Sequence, residues 1–162
     1  MTTAEYNKVV DVHADNAYRF VYKNIRDKER ARDIVQDSFE KMWLNVEKIE
    51  FEKAKSYLFT TAYRTMIDSL RRDKFRSSFD AATDTLLHSH SEQYSDIGEI
   101  LEKAVQQLPE DQRVAIMLRD YEGYSYKDIE EITGLNEAQV KVYIYRARVF
   151  LKNYIGQMEV LI

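Results

Sequence analysis

An all-α chain of two small helical lobes is what this sequence predicts, on three observations. Glycine and proline are scarce, at four and one in 162 residues, so few positions interrupt a helix. Apolar residues recur every three or four positions along most of the chain. No stretch sustains the two-residue alternation of a half-buried strand.

The first lobe is expected over residues 1–75. Val10, Ala14, Ala17, Tyr18, Val21 and Ile25 make one apolar face of a first helix. A second helix starts near Lys28, with Ala31, Ile34, Val35, Phe39, Met42, Trp43 and Val46 as its stripe. A third runs from about Ala54 to Lys74 on Leu58, Ala62, Met66, Ile67 and Leu70. Three such helices can bury one core by packing ridges into grooves.

Periodicity then fails. Residues 76–96 are rich in Ser, Thr, Asp and His and read as a polar linker. His88 and His90 lie within it, but two histidines without further ligands at suitable spacing make a weak metal site, and no cofactor is expected.

The second lobe is expected over residues 97–162. Ile100, Leu101, Ala104, Val105 and Leu108 share a helix face, and Pro109 with Glu110 and Asp111 marks a new helix start. Val114, Ala115, Leu118 and Tyr121 continue that helix until Glu122-Gly123 breaks it. Tyr126, Ile129 and Ile132 begin a short helix, which Gly134 can close in the left-handed conformation. Asn136 offers an N-cap to a last helix, whose core stripe is Val140, Ile144, Ala147, Leu151, Tyr154 and Met158. The pattern is a helix-turn-helix.

The opposite face of that last helix carries Lys141, Val142, Tyr145, Arg146, Val149 and Lys152, with Arg148 on the flank. Cations suit phosphate contacts and small apolar groups suit thymine methyls, so the face fits the major groove of DNA. A basic helix end would also complement the helix dipole, but that leaves the outward valines unaccounted for.

Bulk properties narrow the classes. No cysteine is present for disulfides or thiolate metal sites. No apolar run approaches the roughly 20 residues of a membrane span, and the N-terminus lacks the pattern of a secretory signal, so a cytoplasmic protein is expected. Residues 1–75 carry 15 basic and 13 acidic groups, residues 76–98 one and four, and residues 99–162 eight and eleven, for a net charge of −4. Nucleic-acid binding must therefore rest on local patches and on a partner. No phosphate-cradling glycine loop, nucleophile elbow or HExxH pair argues for an enzyme.

Two segments in order carry a family resemblance. Leu108-Pro109, Gln112-Arg113, Glu122-Gly123, Ser125-Tyr126, Ile129, Gly134, Val140-Lys141 and Arg146-Ala147-Arg148 resemble domain four of extracytoplasmic-function (ECF) sigma factors, which binds promoters. ARDIVQDSFEKMW, with SYLFTTAYRTMIDSLRR downstream, resembles their domain two. The resemblance implies a dissociable initiation factor that brings core RNA polymerase to promoter DNA, often held inactive by an anti-sigma factor.

It further implies that Asp33, Gln36, Asp37, Phe39 and Trp43 dock on the polymerase clamp. The stretch from Glu47 to Arg72 resembles the segment that melts and reads the minus-ten element, with Phe51, Lys53, Lys55, Ser56, Tyr57, Tyr63, Arg64, Arg71 and Arg72 as candidates. Aromatic groups there would stack unpaired bases, and cations would hold the single-stranded backbone. Asn136, Lys141, Val142, Tyr145, Arg146 and Arg148 fall on the minus-35 reader. The family often has asparagine where Arg64 stands, tryptophan at Tyr57 and a small polar residue at Val142, so known promoter sequences do not transfer.

Two other readings stay open at this point. A self-sufficient helix-turn-helix repressor or activator would bind paired half-sites alone. A helical interaction protein would dock its basic helix on an acidic partner.

Overall fold

The computed structural model describes residues 1–77 and 96–160. The expected linker, apart from its two edges, lies outside them, as do His88 and His90. Every described element is helical: α1 Thr3–Ile25, α2 Lys28–Leu44, α3 Ala54–Ser77, α4 Asp96–Gln107, α5 Glu110–Ile116, α6 Tyr126–Thr133 and α7 Glu137–Val160. Single 3₁₀ turns, Val46–Lys48 and Phe51–Lys53, join α2 to α3, and a π-helical turn, Met117–Tyr121, extends α5.

Local chemistry explains the helix ends. Thr2 and Glu5 cap α1 reciprocally: the Glu5 amide donates to the Thr2 hydroxyl at 3.1 Å, and the Thr2 amide donates to the Glu5 carboxylate at 2.8 Å. Arg26 adopts a left-handed conformation, φ 63°, that ends α1. Asp27 immediately caps α2 by accepting from the Arg30 amide at 3.2 Å. So short a connection forces α1 and α2 to pack as neighbours.

Helices α1, α2 and α3 pack on one another as an N-terminal cluster, and α4 to α7 form a C-terminal one. The buried residues of α3 are Ala54, Leu58, Phe59, Ala62, Met66 and Ile67; of the expected stripe Leu70 is only half-buried, while Phe59 and Ala54 were not foreseen. Helix α1 departs further from expectation. It buries Val9, Phe20 and Asn24 beside Ala17 and Val21, while Val10, Ala14 and Tyr18 are only half-buried. The reason is that α1 packs against α2, α3 and α5 together, so its buried surface is broader than one stripe. Trp43 leaves the stripe of α2 and is 45% exposed, its ring 5.0 Å from that of Tyr6.

The two clusters share a seam. The Arg113 Nε donates to Asn24 Oδ1 at 2.8 Å, and Gln106 Nε2 donates to the Lys23 carbonyl at 2.6 Å. Arg26 pairs with Glu102 at 2.8 Å. The Phe59 ring meets Phe20 at 5.5 Å on one side and Tyr124 at 5.8 Å on the other. These rings make the apolar core continuous between the clusters.

Candidate nucleic-acid interface

The helix-turn-helix is built as its residues dictate. Ser125 caps α6 by accepting from the Asp128 amide at 3.1 Å. Gly134, φ 79°, closes it in the left-handed region, where a side chain would be strained. Asn136 then starts α7: its Oδ1 accepts from the Gln139 amide at 2.8 Å, and its own amide donates to Gln139 Oε1 at 3.0 Å. Val140, Ile144 and Ala147 are buried against α4, α5 and α6. That anchoring turns Lys141, Val142, Tyr145, Arg146 and Val149 to the surface, Tyr145 to 70% exposure.

The cations on this face differ in availability. Arg146 is exposed, with no ion-pair partner among the described residues. Lys141 lies 3.5 Å from Glu137 and 5.7 Å from the centre of the Tyr126 ring. Arg148 is paired: its guanidinium donates to both oxygens of Asp120, at 3.2 and 2.6 Å. The hydrogen bonds it donates to Asp120 hold that guanidinium charged beyond its ordinary range. Periodicity placed Arg148 on the flank of the face but could not reveal Asp120, which the π turn carries to it.

The segment between α2 and α3 forms a second feature. Asn45, Lys48, Ile49, Glu50, Lys53 and Tyr57 line a surface pocket of about 430 Å³, in the size range of small-ligand sites. Asn45 donates to the Tyr57 hydroxyl at 3.3 Å, which fixes one wall. Phe51 is exposed beside the pocket's Glu50, with the Lys8 ammonium 5.8 Å from its ring centre. Lys53 is well exposed and pairs loosely with Glu50 at 3.9 Å. Sequence reasoning named Lys53 and Tyr57 but missed Asn45, Lys48, Ile49 and Glu50, since only the paired 3₁₀ turns bring them together.

The remaining minus-ten candidates divide. Arg64, Arg71 and Arg72 lie exposed along α3. Lys55, Ser56 and Tyr63 are half-buried, and Lys55 reaches the C-terminal cluster. The Lys55 ammonium donates to the Glu122 carbonyl at 3.1 Å, lies 4.0 Å from its carboxylate, and sits 4.9 Å from the Tyr124 ring centre. Burial pushes the Tyr63 hydroxyl up, and the charges of Asp111 and Glu110 push it further. Burial likewise raises the Glu122 carboxyl, against the pull of Lys55, Arg19 and Lys23. His13 is driven down by burial and by Lys55.

On α2, Asp33 and Gln36 are exposed, while Asp37 is half-exposed and bridges to Lys41 at 3.3 Å. Phe39 is half-buried beneath Tyr6, which donates to its carbonyl at 3.0 Å. Leu44, 81% exposed next to Trp43, extends this face and was not foreseen; an apolar residue off the stripe was the signal. The face sets exposed apolar groups, Trp43 and Leu44, beside polar ones, as an interface core and its rim do. No described helix is long and apolar enough to cross a membrane, and no cluster of three metal-ligating side chains occurs among the described residues.

Comparison with known proteins agrees with this layout. Sigma-70 region 2 matches residues 9–76, and Sigma-70, region 4 matches residues 98–151. The chain is 34% identical over 137 residues to the RNA polymerase sigma factor SigV of Bacillus subtilis, covering 83% of this chain and 81% of that one. It is 26% identical over 155 residues to the ECF RNA polymerase sigma factor SigM of the same organism, covering 90% and 92%. Among solved structures it is similar to the sigma factor RpoE in complex with the anti-sigma factor NepR from Bartonella quintana, at 25% identity and TM-score 0.80, covering 93% of this chain and 96% of that one. A cluster carrying the α2 face and the pocket, followed by a helix-turn-helix with a basic outer face, and these matches over both, place the chain among the ECF sigma factors, which direct core RNA polymerase to promoters and are not enzymes.

Proposed function

We propose that the three exposed features divide the work of promoter recognition. The α2 face with Asp33, Gln36, Asp37, Phe39 and Trp43 docks on the polymerase clamp. The pocket between α2 and α3 takes an unstacked minus-ten base, with Phe51 and Tyr57 as stacking groups and Lys53, Arg64, Arg71 and Arg72 along the strand. Helix α7 enters the major groove at the minus-35 element, with Asn136, Lys141, Val142, Tyr145 and Arg146 toward the DNA. Residues 1–75 and 97–162 act as the two functional domains, and residues 76–96 connect them through polymerase.

The observation that carries this reading is the outward face of α7, where exposed valines and a tyrosine stand among cations. A solvated helix face has no use for them, whereas base edges do. Polymerase supplies catalysis and much of the affinity, which suits a factor of net charge −4. The protein works in the cytoplasm and is held in check there by an anti-sigma factor, a reading supported by its likeness to a relative solved with one.

The test is the double variant Lys141→Ala, Arg146→Ala, compared with wild type for co-elution with core polymerase and for transcripts from fragmented host DNA. Retained co-elution with loss of discrete transcripts is the expected result. Unchanged transcripts from the same promoters would remove α7 from the minus-35 role.

A further inference from the structure

We infer that Arg30 is a positioning residue for nucleic acid: from the first turn of α2 it draws the carboxylate of Asp73 away from the cationic end of α3 and so leaves Arg71, Arg72 and Arg76 to phosphate. The inference rests on the placing of Arg71 and Arg72 along the strand proposed above. It starts from the charge pattern of that helix end. Residues 69–76 read Ser, Leu, Arg, Arg, Asp, Lys, Phe, Arg, so Asp73 is the one acid among four cations. Arg71, Arg72 and Arg76 are exposed and form no ion pair among the described residues. Asp73 is half-buried, and the Arg30 guanidinium holds it. One nitrogen donates to Asp73 Oδ2 at 2.5 Å, and another donates to the Ser69 hydroxyl, one turn earlier on the same side of α3.

What carries the inference is the choice of partner. Asp33 lies three positions further along α2, at the spacing of helix neighbours. It forms no ion pair among the described residues, and the guanidinium crosses to α3 instead. The Arg30 and Asp73 side chains are 33% and 43% exposed, and such pairs contribute little stability in water. The consequence lies in the charge that is cancelled. Without Arg30, the one cation at neighbour spacing along the helix is Arg76, three positions on. A carboxylate turned to Arg76 would occupy that cation and repel a phosphate beside it. Asp73 also stands near the C-terminal, negative end of the helix dipole, where a cation offsets it. The second bond, to Ser69, gives the planar guanidinium two points on α3 and fixes its orientation, as the point charge of a lysine could not.

The test titrates the full chain, bound to core polymerase, with a labelled fork DNA whose minus-ten stretch is single-stranded. The DNA comes from a promoter recovered in the transcript assay above, and the titration is repeated over a range of salt. Arg30→Ala is expected to weaken binding and to flatten the slope of log affinity against log salt by about 0.7, one phosphate contact on a single strand. Adding Asp73→Asn to Arg30→Ala removes the freed acid and is expected to restore wild-type affinity and slope, while Asp73→Asn alone does not fall below wild type. A brace that served the fold alone gives the reverse: Asp73→Asn would match Arg30→Ala, and the double variant would be no better than either. That pattern, or an unchanged slope in Arg30→Ala, would overturn the inference. A Tm for each variant separates loss of fold, which the double variant shares, from loss of charge, which it does not. Arg71→Ala with Arg72→Ala judges the strand reading itself. Unchanged affinity and slope there would remove α3 from the strand, whereas a fall there beside an inert Arg30→Ala would overturn the role of Arg30 alone.

Discussion

Arg148 grips Asp120 through two hydrogen bonds, 3.2 and 2.6 Å long, and so ties the recognition helix to the π turn that ends α5. Both side chains are partly exposed, so the pair contributes only about 0.5 kcal/mol to stability. Its larger effect is on charge. Asp120→Ala is expected to release Arg148 toward phosphate and to steepen the slope of log affinity against log salt for duplex DNA by about 0.9. Titration by fluorescence anisotropy at several salt concentrations reads this directly; an unchanged slope would mean that Arg148 stays off the backbone.

Trp43 stands apart from its helix's core stripe. Its ring lies 5.0 Å from that of Tyr6 and the residue is 45% exposed, so Trp43→Ala should cost the fold only about 1 kcal/mol. As the large aromatic group of the α2 face it is expected to weaken polymerase binding roughly 30-fold. Equilibrium binding to core polymerase, with a denaturation curve beside it, separates the two effects.

The reciprocal bonds between Asn136 and Gln139 satisfy the start of α7. Asn136→Ala is expected to lower stability by about 1 kcal/mol, a fall in Tm of about 3 °C for a chain of this size. Asn136→Ser should recover most of it. Calorimetry of the three proteins at one pH suffices, and equal Tm values would show that the cap is dispensable.

His13 gives the fold a pH dependence whose sign is fixed. Burial and Lys55 depress its pKa in the folded chain, whereas the unfolded chain binds the proton near about pH 6.5. The contribution is therefore complete above that pH and is lost as pH falls through the lower folded value. The difference in urea midpoint between wild type and His13→Gln should be flat above pH 6.5 and change below it, with wild type losing ground. Parallel curves down to pH 5 would contradict this.

Legibility in the sequence followed the range of the interactions. The turn at Gly134 and the cap at Asn136 are decided by neighbouring atoms, and both stand where the residues placed them. The stripe of α7 was plain in its first half, where Val140, Ile144 and Ala147 are buried; Leu151 and Tyr154 are half-buried, and the Met158 side chain lies outside those described. Helix α1 was harder: three neighbours bury it, so a single-stripe reading chose Val10 and missed Val9 and Phe20. Phe59 was overlooked because its partner Tyr124 is 65 residues away in the chain. The pocket was half-legible, through Lys53 and Tyr57, since its other walls are set by two 3₁₀ turns that carry no periodic signal. Arg148 was named without its partner, which a π turn brings into reach.

The continuous core through Phe20, Phe59 and Tyr124 also makes the two clusters thermodynamically reciprocal. What loosens one cluster at these rings removes packing from the other, so substitutions on opposite sides of the seam will not add as independent changes do. The chain matches its family as two regions in sequence and holds them on one continuous core.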